Sequence, residues 1–121
     1  MAARPLAPPS PLATQAYTVL RRRVPAAGNQ ATLTYKALGH RLRVHYRGRA
    51  LHDALGELAA RCKARRLPVI VALVVRADLG MPGSGYYGVA HQLGPRPKTI
   101  AALAWAREVT RVCSTTYPSR L

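Results

Sequence analysis

The fold is decided by residues 47–90, RGRALHDALGELAARCKARRLPVIVALVVRADLGMPGSGYYGVA. Apolar residues recur at steps of three and four in the first part of this stretch, which predicts an amphipathic helix over Arg49–Arg65. The apolar, β-branched run Val69–Arg76 predicts a strand. Closely spaced glycines then predict a turn, and Tyr86–His91 is expected to be the returning strand of a hairpin. The stretch is therefore expected to fold as a long helix followed by a β-hairpin.

Three further helices are predicted around this stretch. An apolar stripe over Leu12–Val24 predicts the first helix, with three arginines in its last turn, where cations interact favourably with the helix dipole. The second helix is expected to start near Thr34, with Thr32 or Thr34 as its N-cap. A fourth helix is predicted over Ile100–Cys113. The chain is therefore expected to be an α+β fold with three N-terminal helices, a β-hairpin and a C-terminal helix.

The length of 121 residues suits one domain with a single core. We expect this domain to cover residues 12–113. Residues 1–11 are rich in proline and are predicted to be a disordered arm. Residues 114–121 are predicted to be a flexible, frayed tail.

The charge balance is strongly basic, with 19 Lys and Arg residues, 4 Asp and Glu residues and a formal net charge of +15. Such a chain repels itself, and this suggests a polyanionic partner, of which nucleic acid is the commonest. An acidic protein partner, an anionic membrane surface or a compositional bias towards arginine are the alternatives.

The sequence predicts no metal site and no cofactor. The two cysteines, Cys62 and Cys113, form no CxxC pair and have no histidine at ligand spacing, so neither structural zinc nor a disulfide framework is expected. Prolines interrupt the N-terminal segment, which therefore does not resemble a secretion signal. The longest apolar run, Leu67–Val75, is too short to span a bilayer. We therefore expect a cytoplasmic protein with no membrane partner.

Several local patterns resemble, in the same order, the winged-helix DNA-binding domain of methylguanine-DNA alkyltransferases and of the inert alkyltransferase-like proteins. QAYTVLRRRVPAAGNQATLTYKAL at 15–38 is similar to the first helix, the connector and the start of the second helix in that family. GRALHDAL at 48–55 is similar to the start of its recognition helix, and LPVIVALVV at 67–75 to the strand that follows. The resemblance covers roughly residues 15–113.

The resemblance implies a binding mode but no alkyl transfer. In the family the recognition helix enters the minor groove, so Arg49 would be the groove-inserted arginine and Tyr35 would press on a phosphate. The catalytic Pro-Cys-His-Arg motif is missing, because residues 72–75 are Ala-Leu-Val-Val. A nucleophilic cysteine also needs an electropositive pocket and a base beside it. We therefore expect a nucleic-acid-binding protein without catalytic activity.

The expected contacts cluster around the start of the long helix. Affinity for nucleic acid would be largely electrostatic, and phosphate contacts would fix position without determining sequence specificity. Duplex DNA is the favoured ligand. The candidate nucleic-acid-binding residues are Tyr35, Lys36, Arg41, Arg43, His45, Tyr46, Arg47, Arg49, His52, Arg76 and Tyr86, with Gly83–Tyr87 as the tip of the wing.

Other functions remain open from the residues alone. Tyr46, Tyr86 and Tyr87 offer stacking surfaces for unpaired bases, which suits an RNA-binding protein. The basic surface also suits a protein-interaction module, such as a mobile-element or host-defence accessory. A metal-independent nuclease toxin would use His45 and His52 as acid and base. The glycine-rich loop does not open a helix and lacks the Lys-Ser/Thr of a phosphate-binding P-loop, so nucleotide binding is disfavoured.

Overall fold

A computed structural model of the chain describes residues 9–24, 26, 30–83 and 98–121. For residues 98–101 it describes the backbone only. These residues form an α+β fold of four α-helices and a two-stranded parallel sheet, which confirms the expected class. The elements are α1 (Pro11–Arg23), β1 (Leu33–Thr34), α2 (Tyr35–Leu42), α3 (Arg49–Ala64), a 3-10 helix (Ile70–Leu73), β2 (Val74–Val75) and α4 (Lys98–Cys113).

Side-chain caps fix the starts of the first two helices. The Ser10 hydroxyl accepts a hydrogen bond from the Ala13 N–H at 3.3 Å, with Pro11 in the first turn of α1. The Thr34 hydroxyl accepts one from the Ala37 N–H at 3.0 Å, so of the two predicted caps Thr34 is the one used. Each cap satisfies a backbone donor that the helix itself leaves free.

The core is built around the apolar segment Val69–Val75, in which every residue is buried. Helices α1 and α3 pack against each other and against the 3-10 helix, and α4 contacts the 3-10 helix as well. Full burial of a leucine or isoleucine side chain contributes roughly 1.5–3 kcal/mol. The largest fully buried side chains are Leu20, Leu38, Leu51, Leu58, Ile70, Leu73, Val74 and Val112.

The predicted strand Val69–Arg76 is mostly wrong. Within this run only Val74–Val75 is a strand, and Ile70–Leu73 forms a 3-10 helix. In its first turn the Ala72 N–H donates a hydrogen bond to the Val69 carbonyl at 3.0 Å. Both forms bury the same side chains, and a run that is apolar throughout has no alternation to distinguish them. The indole N–H of Trp105 donates to the Ala72 carbonyl at 2.8 Å, which gives this acceptor a partner outside a sheet.

The sheet joins two segments that the sequence analysis did not pair. Leu33 lies beside Val74, and Thr34 beside Val75, in parallel register. Arg23 holds the connector that leads into β1, since its guanidinium donates to the carbonyls of Gln30, Ala31 and Thr32 at 3.0, 2.8 and 2.6 Å. At least one of the three arginines that end α1 therefore has a structural role.

The turn after β2 is present, whereas the predicted return strand Tyr86–His91 lies outside the described residues. The Arg76 N–H donates to the Met81 carbonyl at 2.8 Å, and the Gly80 N–H donates to the Arg76 carbonyl at the same distance. Gly80 has a φ of 64°, a conformation that glycine adopts without the steric cost of a Cβ. The hairpin that would form a wing stays a prediction.

Both chain ends differ from expectation where they are described. The predicted flexible tail packs on the core, because Tyr117 is buried and its hydroxyl donates to the Pro68 carbonyl at 2.6 Å. At the other end the N–H and the hydroxyl of Ser10 both donate to the Glu57 carboxylate, at 2.9 and 2.8 Å, so this residue of the predicted arm is held against α3. An aromatic ring in the tail is a burial signal that the composition of its neighbours obscured.

Candidate nucleic-acid interface

A cavity of about 750 Å³ opens beside the first turns of α3. Leu55, Ala59 and Val71 give it an apolar floor, while aromatic and cationic side chains surround them. A concave surface with an apolar base and a few polar groups is the usual form of a ligand site. The described lining residues are Thr34, Tyr35, Lys36, Tyr46, Arg47, His52, Leu55, Gly56, Ala59, Val71, Arg76, Ala77, Asp78 and Gly83.

Tyr35, the first residue of α2, joins this helix to the glycine-rich turn. Its phenolic oxygen accepts a hydrogen bond from the Gly83 N–H at 3.2 Å. Burial raises the pKa of the Tyr35 hydroxyl, and this hydrogen bond and the charge of Arg76 offset part of the rise. The phenol is therefore held neutral, and its proton remains a donor for a group that enters the cavity.

Two tyrosine rings of the cavity wall each stack on an exposed histidine. The Tyr35 and His52 rings lie 5.7 Å apart between centroids at 29°, and the His45 and Tyr46 rings lie 5.0 Å apart at 14°. The Arg47 guanidinium lies 5.4 Å from the centre of the Tyr46 ring, within range of a cation–π interaction. Aromatic and cationic groups therefore alternate along this side of the cavity.

The hydrogen bonding of His45 fixes one of its ring nitrogens. Nδ1 accepts a hydrogen bond from the Arg47 N–H at 3.1 Å, so Nε2 is the ring nitrogen left to bind an external group. An acid–base pair between His45 and His52 would need both rings to converge on one atom, and each is instead stacked on a different tyrosine.

Arg76 lies on the cavity wall with a carboxylate bound to it. Its Nε and terminal nitrogen donate to the two oxygens of Asp78 at 3.0 and 2.7 Å. These hydrogen bonds hold the pKa of Asp78 below its ordinary value. Arg76 was predicted to contact nucleic acid, and Asp78 was not singled out, although an acid two residues after an arginine in a turn is a recognisable pairing signal. Any phosphate contact of Arg76 would compete with Asp78.

A second, shallower depression of about 730 Å³ adjoins the first. Thr34, Lys36 and Tyr46 line both, so the two form one continuous basic surface. The remaining residues of the second depression are Ala37, His40, Arg41, Val44 and His45. It therefore brings the predicted residues Arg41 and His45 next to Lys36, together with His40, which had no place in the predicted site.

The loop after α2 packs closely on the helix. A Cβ on Gly39 would lie 2.8 Å from the Val44 carbonyl oxygen, so only glycine allows this approach. The helix ends with a Schellman motif, in which the Val44 N–H donates to the Gly39 carbonyl at 3.0 Å and the Arg43 N–H to the His40 carbonyl at 3.2 Å. Arg43 occupies the left-handed position that glycine usually fills, with a φ of 57°. Its side chain is exposed and lines neither depression.

The structure separates the two arginines that flank Gly48. Arg47 lines the cavity, whereas Arg49 does not, and its side chain is 93% exposed and lies 3.9 Å from the Asp53 carboxylate. Both arginines were predicted to contact nucleic acid, and of the two only Arg47 lies on the cavity wall. Tyr86 lies outside the described residues, as do Ser84–Tyr87 of the predicted wing tip.

The start of α3 adds a positive potential beside the cavity. Gly48 is its N-cap and supplies no capping side chain, and the first turn contains no acidic residue. The free N–H groups and the helix dipole make such an end favourable for anions. This end lies directly after Arg47.

Among the described residues, neither a cysteine nor a metal-binding cluster lies at this surface. Cys62 is fully buried on α3, and burial raises the pKa of its thiol, which keeps it protonated. No group of three or more His, Cys, Asp or Glu side chains suited to a metal ion occurs in the described part of the chain. In that same part, none of the helices has the length and apolar character needed to cross a bilayer.

Comparisons with protein-family models, with curated proteins and with solved structures found no match to this chain.

Proposed function

We propose that the chain is a non-catalytic nucleic-acid-binding protein that grips duplex DNA through the cavity at the start of α3 and the adjoining basic depression. The observation that carries the proposal is the convergence of Lys36, Arg41, His45, Arg47 and His52 on this continuous surface. In a chain with a net charge of +15, such a cluster is the electrostatic footprint of a polyanion site.

The contacts available at this surface suit phosphates. Arg47 and Lys36 present cationic donors, the Tyr35 hydroxyl presents a neutral donor, and the free N–H groups of α3 lie beside them. Arginine, lysine, tyrosine and helix N-termini together make up much of the phosphate contact in protein–DNA complexes. Asp78 is the one carboxylate among the described lining residues, and Arg76 neutralises it.

The resemblance to the alkyltransferase DNA-binding domain supports the same surface. It implies a winged-helix arrangement in which α3 is the recognition helix, the turn at 76–83 leads into the wing, and Tyr35 lies on the phosphate side. The bond between Tyr35 and Gly83 is consistent with that arrangement. The proposal departs from the resemblance at one position, since Arg47 rather than Arg49 lines the cavity.

Single-stranded RNA is the second candidate ligand, and the stacked rings favour it. His45 and His52 are exposed rings that each lie against a tyrosine. Bases of an unpaired strand stack on such rings in many RNA-binding proteins. A protein-interaction module is left as the alternative if no nucleic acid binds.

The test is a binding titration by fluorescence anisotropy with a labelled 20-base-pair duplex, the corresponding single strand and an RNA of the same sequence. We expect the duplex to bind most tightly and its affinity to fall steeply with salt, because phosphate contacts release counterions. Preference for RNA over the duplex would support the second candidate. Absence of binding above the level of a neutral polymer control, even at low salt, would refute both.

A further inference from the structure

A second arginine occupies a left-handed helix end at the far end of α3. The Leu67 N–H donates to the Cys62 carbonyl at 2.9 Å and the Arg66 N–H to the Lys63 carbonyl at 3.1 Å, which is again a Schellman motif. Arg66 has a φ of 57° and an exposed side chain, as Arg43 has at the end of α2. Glycine is the residue that adopts this conformation without cost. Packing does not explain an exposed arginine there, and its charge is the property that glycine lacks.

Arg66 directly follows Arg65, and the packed tail brings Arg65 together with other exposed arginines. The Arg65 guanidinium donates to the Arg120 carbonyl at 2.7 Å, and the Arg21 Nε donates to the Tyr117 carbonyl at 3.2 Å. The tail therefore brings the end of α1 and the end of α3 together. We call the surface formed by Arg21, Arg65, Arg66 and Arg120 the rear face, and all four side chains are exposed.

Among the described residues, no Asp or Glu side chain forms an ion pair with the rear face. The four acidic residues of the chain form ion pairs with Arg49, Arg61, Arg76 and Arg111. Arg21 and Arg65 instead use part of their donors on backbone carbonyls, which leaves their charge intact. Clustered cations without a counter-charge repel one another and attract polyanions.

The rear face and the candidate interface lie at opposite ends of one rigid helix. Arg47 precedes α3 and Arg66 follows it, and a helix of 16 residues is about 24 Å long. One straight segment of nucleic acid that lies across the cavity entrance would leave the rear face free. A second segment would then be held by the other end of the same molecule.

We propose that the rear face is a second nucleic-acid contact, so that one copy of the chain bridges two segments of duplex DNA. This rests on the proposed function, since the first segment is held at the cavity. Arg66 would contact the phosphates of the second segment, and its unfavourable backbone conformation would be retained for that charge.

The test measures bridging and single-duplex binding separately. Energy transfer between a donor-labelled and an acceptor-labelled duplex reports bridging at sub-saturating protein, and anisotropy with one duplex reports the first contact. Arg66→Gly relieves the left-handed conformation and removes the charge. We expect the energy-transfer signal of this variant to be at least about fivefold lower than that of wild type. Its Kd for a single duplex should stay within about twofold of wild type. Its Tm should rise by about 3 °C, because the glycine fits the left-handed position.

Two further variants keep the result unambiguous. Arg66→Lys retains the charge and should retain bridging. Arg120→Gln removes a rear-face charge but not the backbone carbonyl that Arg65 binds, and it should reduce bridging with little change in Tm.

The outcomes separate the two proposals. Wild-type protein that binds one duplex but gives no transfer signal would overturn bridging and leave the proposed function standing. Bridging that survives Arg66→Gly and Arg120→Gln unchanged would also overturn it, because the second contact would then lie elsewhere, as in a dimer that uses two cavities. Failure to bind even one duplex would remove both proposals.

Discussion

The hydrogen bond from the Gly83 N–H to the phenolic oxygen of Tyr35, 3.2 Å long, ties the first residue of α2 to the turn that follows β2. The two residues are 48 positions apart in the chain. Both residues line the cavity, so the bond holds the turn beside the start of α2 on the cavity wall. A residue that the resemblance assigns to phosphate contact is thus also a structural support for the proposed wing.

Tyr35→Phe should lower the stability of the domain by about 1 kcal/mol, because the Gly83 N–H loses its partner while the ring packing is kept. Tyr46→Phe is the matched control, since the Tyr46 hydroxyl forms no hydrogen bond to the described residues. Chemical denaturation of both variants measures the effect. Equal stability of the two would mean that the bond to Gly83 contributes nothing.

The two helical glycines should respond to alanine in opposite directions. Gly39→Ala places a Cβ 2.8 Å from the Val44 carbonyl oxygen and should destabilise by more than about 1 kcal/mol, because backbone has to move. Gly56→Ala meets nothing within 4 Å and should stabilise α3 by about 0.5–1 kcal/mol. Thermal unfolding of both variants is the check. A loss of stability in both variants would mean that the added methyl group at position 56 meets neighbouring atoms, which contradicts the open space beside Gly56.

Glu57 should make the fold sensitive to acid. Hydrogen bonds from the backbone and the hydroxyl of Ser10, with a smaller contribution from Arg61, hold the pKa of Glu57 below its ordinary value of 4.5. A lowered pKa in the folded state gives stability that is present above pH 4.5 and is lost as the pH falls through the folded-state pKa. Below pH 4.5 the Tm of wild type should therefore fall more than that of Glu57→Gln.

Comparison of these two proteins isolates Glu57, because Asp78, whose pKa is also lowered, is the same in both. Ser10→Ala removes one of the two Ser10 donors and should give an intermediate slope. Parallel Tm curves for wild type and Glu57→Gln would show that the anchoring of Ser10 contributes no stability.

Arg43→Gly should separate stability from binding. Glycine relieves the left-handed conformation at the end of α2, which is worth about 1 kcal/mol, so the Tm should rise. Because Arg43 lines neither depression, the lost cation should change duplex affinity by no more than about twofold. Arg43→Lys should leave both properties near wild type. A loss of affinity as large as that of Arg47→Ala would contradict the position of the interface.

Much of the helical framework could be predicted from local chemistry. The cap at Thr34, the apolar stripe of α3 and the glycine at position 80 each follow from rules that act within a few residues. The same helical pattern predicts a polar face of α3 that includes Arg61, but the structure buries this side chain almost completely, with Glu57 3.6 Å from it. A long arginine stem can lie along apolar surface, which a helical pattern does not reveal.

The features that the sequence did not predict depend on contacts between residues that are distant in the chain. The parallel pairing of Leu33–Thr34 with Val74–Val75 joins segments 41 positions apart, and no local signal specifies it. The burial of Tyr117 depends on acceptors and packing surface that lie on other elements. Such contacts are set by tertiary packing, which overrides the preference of a short segment.

The grouping of the candidate residues could be predicted in outline, but their geometry could not. Basic and aromatic residues between positions 35 and 52 lie around a short loop, and many of them line the two depressions because neighbours in sequence stay close in space. The stacking of His52 on Tyr35 depends on tertiary packing that no local pattern specifies. The same holds for the division between Arg47, on the cavity wall, and Arg49, beside Asp53.

The most direct test of the proposed interface compares duplex affinity across three single-charge variants, measured over a range of salt concentrations. Arg47→Ala removes a cation from the cavity wall, Arg49→Ala removes the one beside Asp53, and Arg107→Ala removes an exposed cation of α4 that lines neither depression. We expect Arg47→Ala to lose about tenfold in affinity and about 1 in the salt slope. Arg49→Ala should lose less, and Arg107→Ala should stay within about twofold of wild type. Equal losses for Arg47→Ala and Arg107→Ala would contradict the account, because binding would then follow net charge rather than this surface.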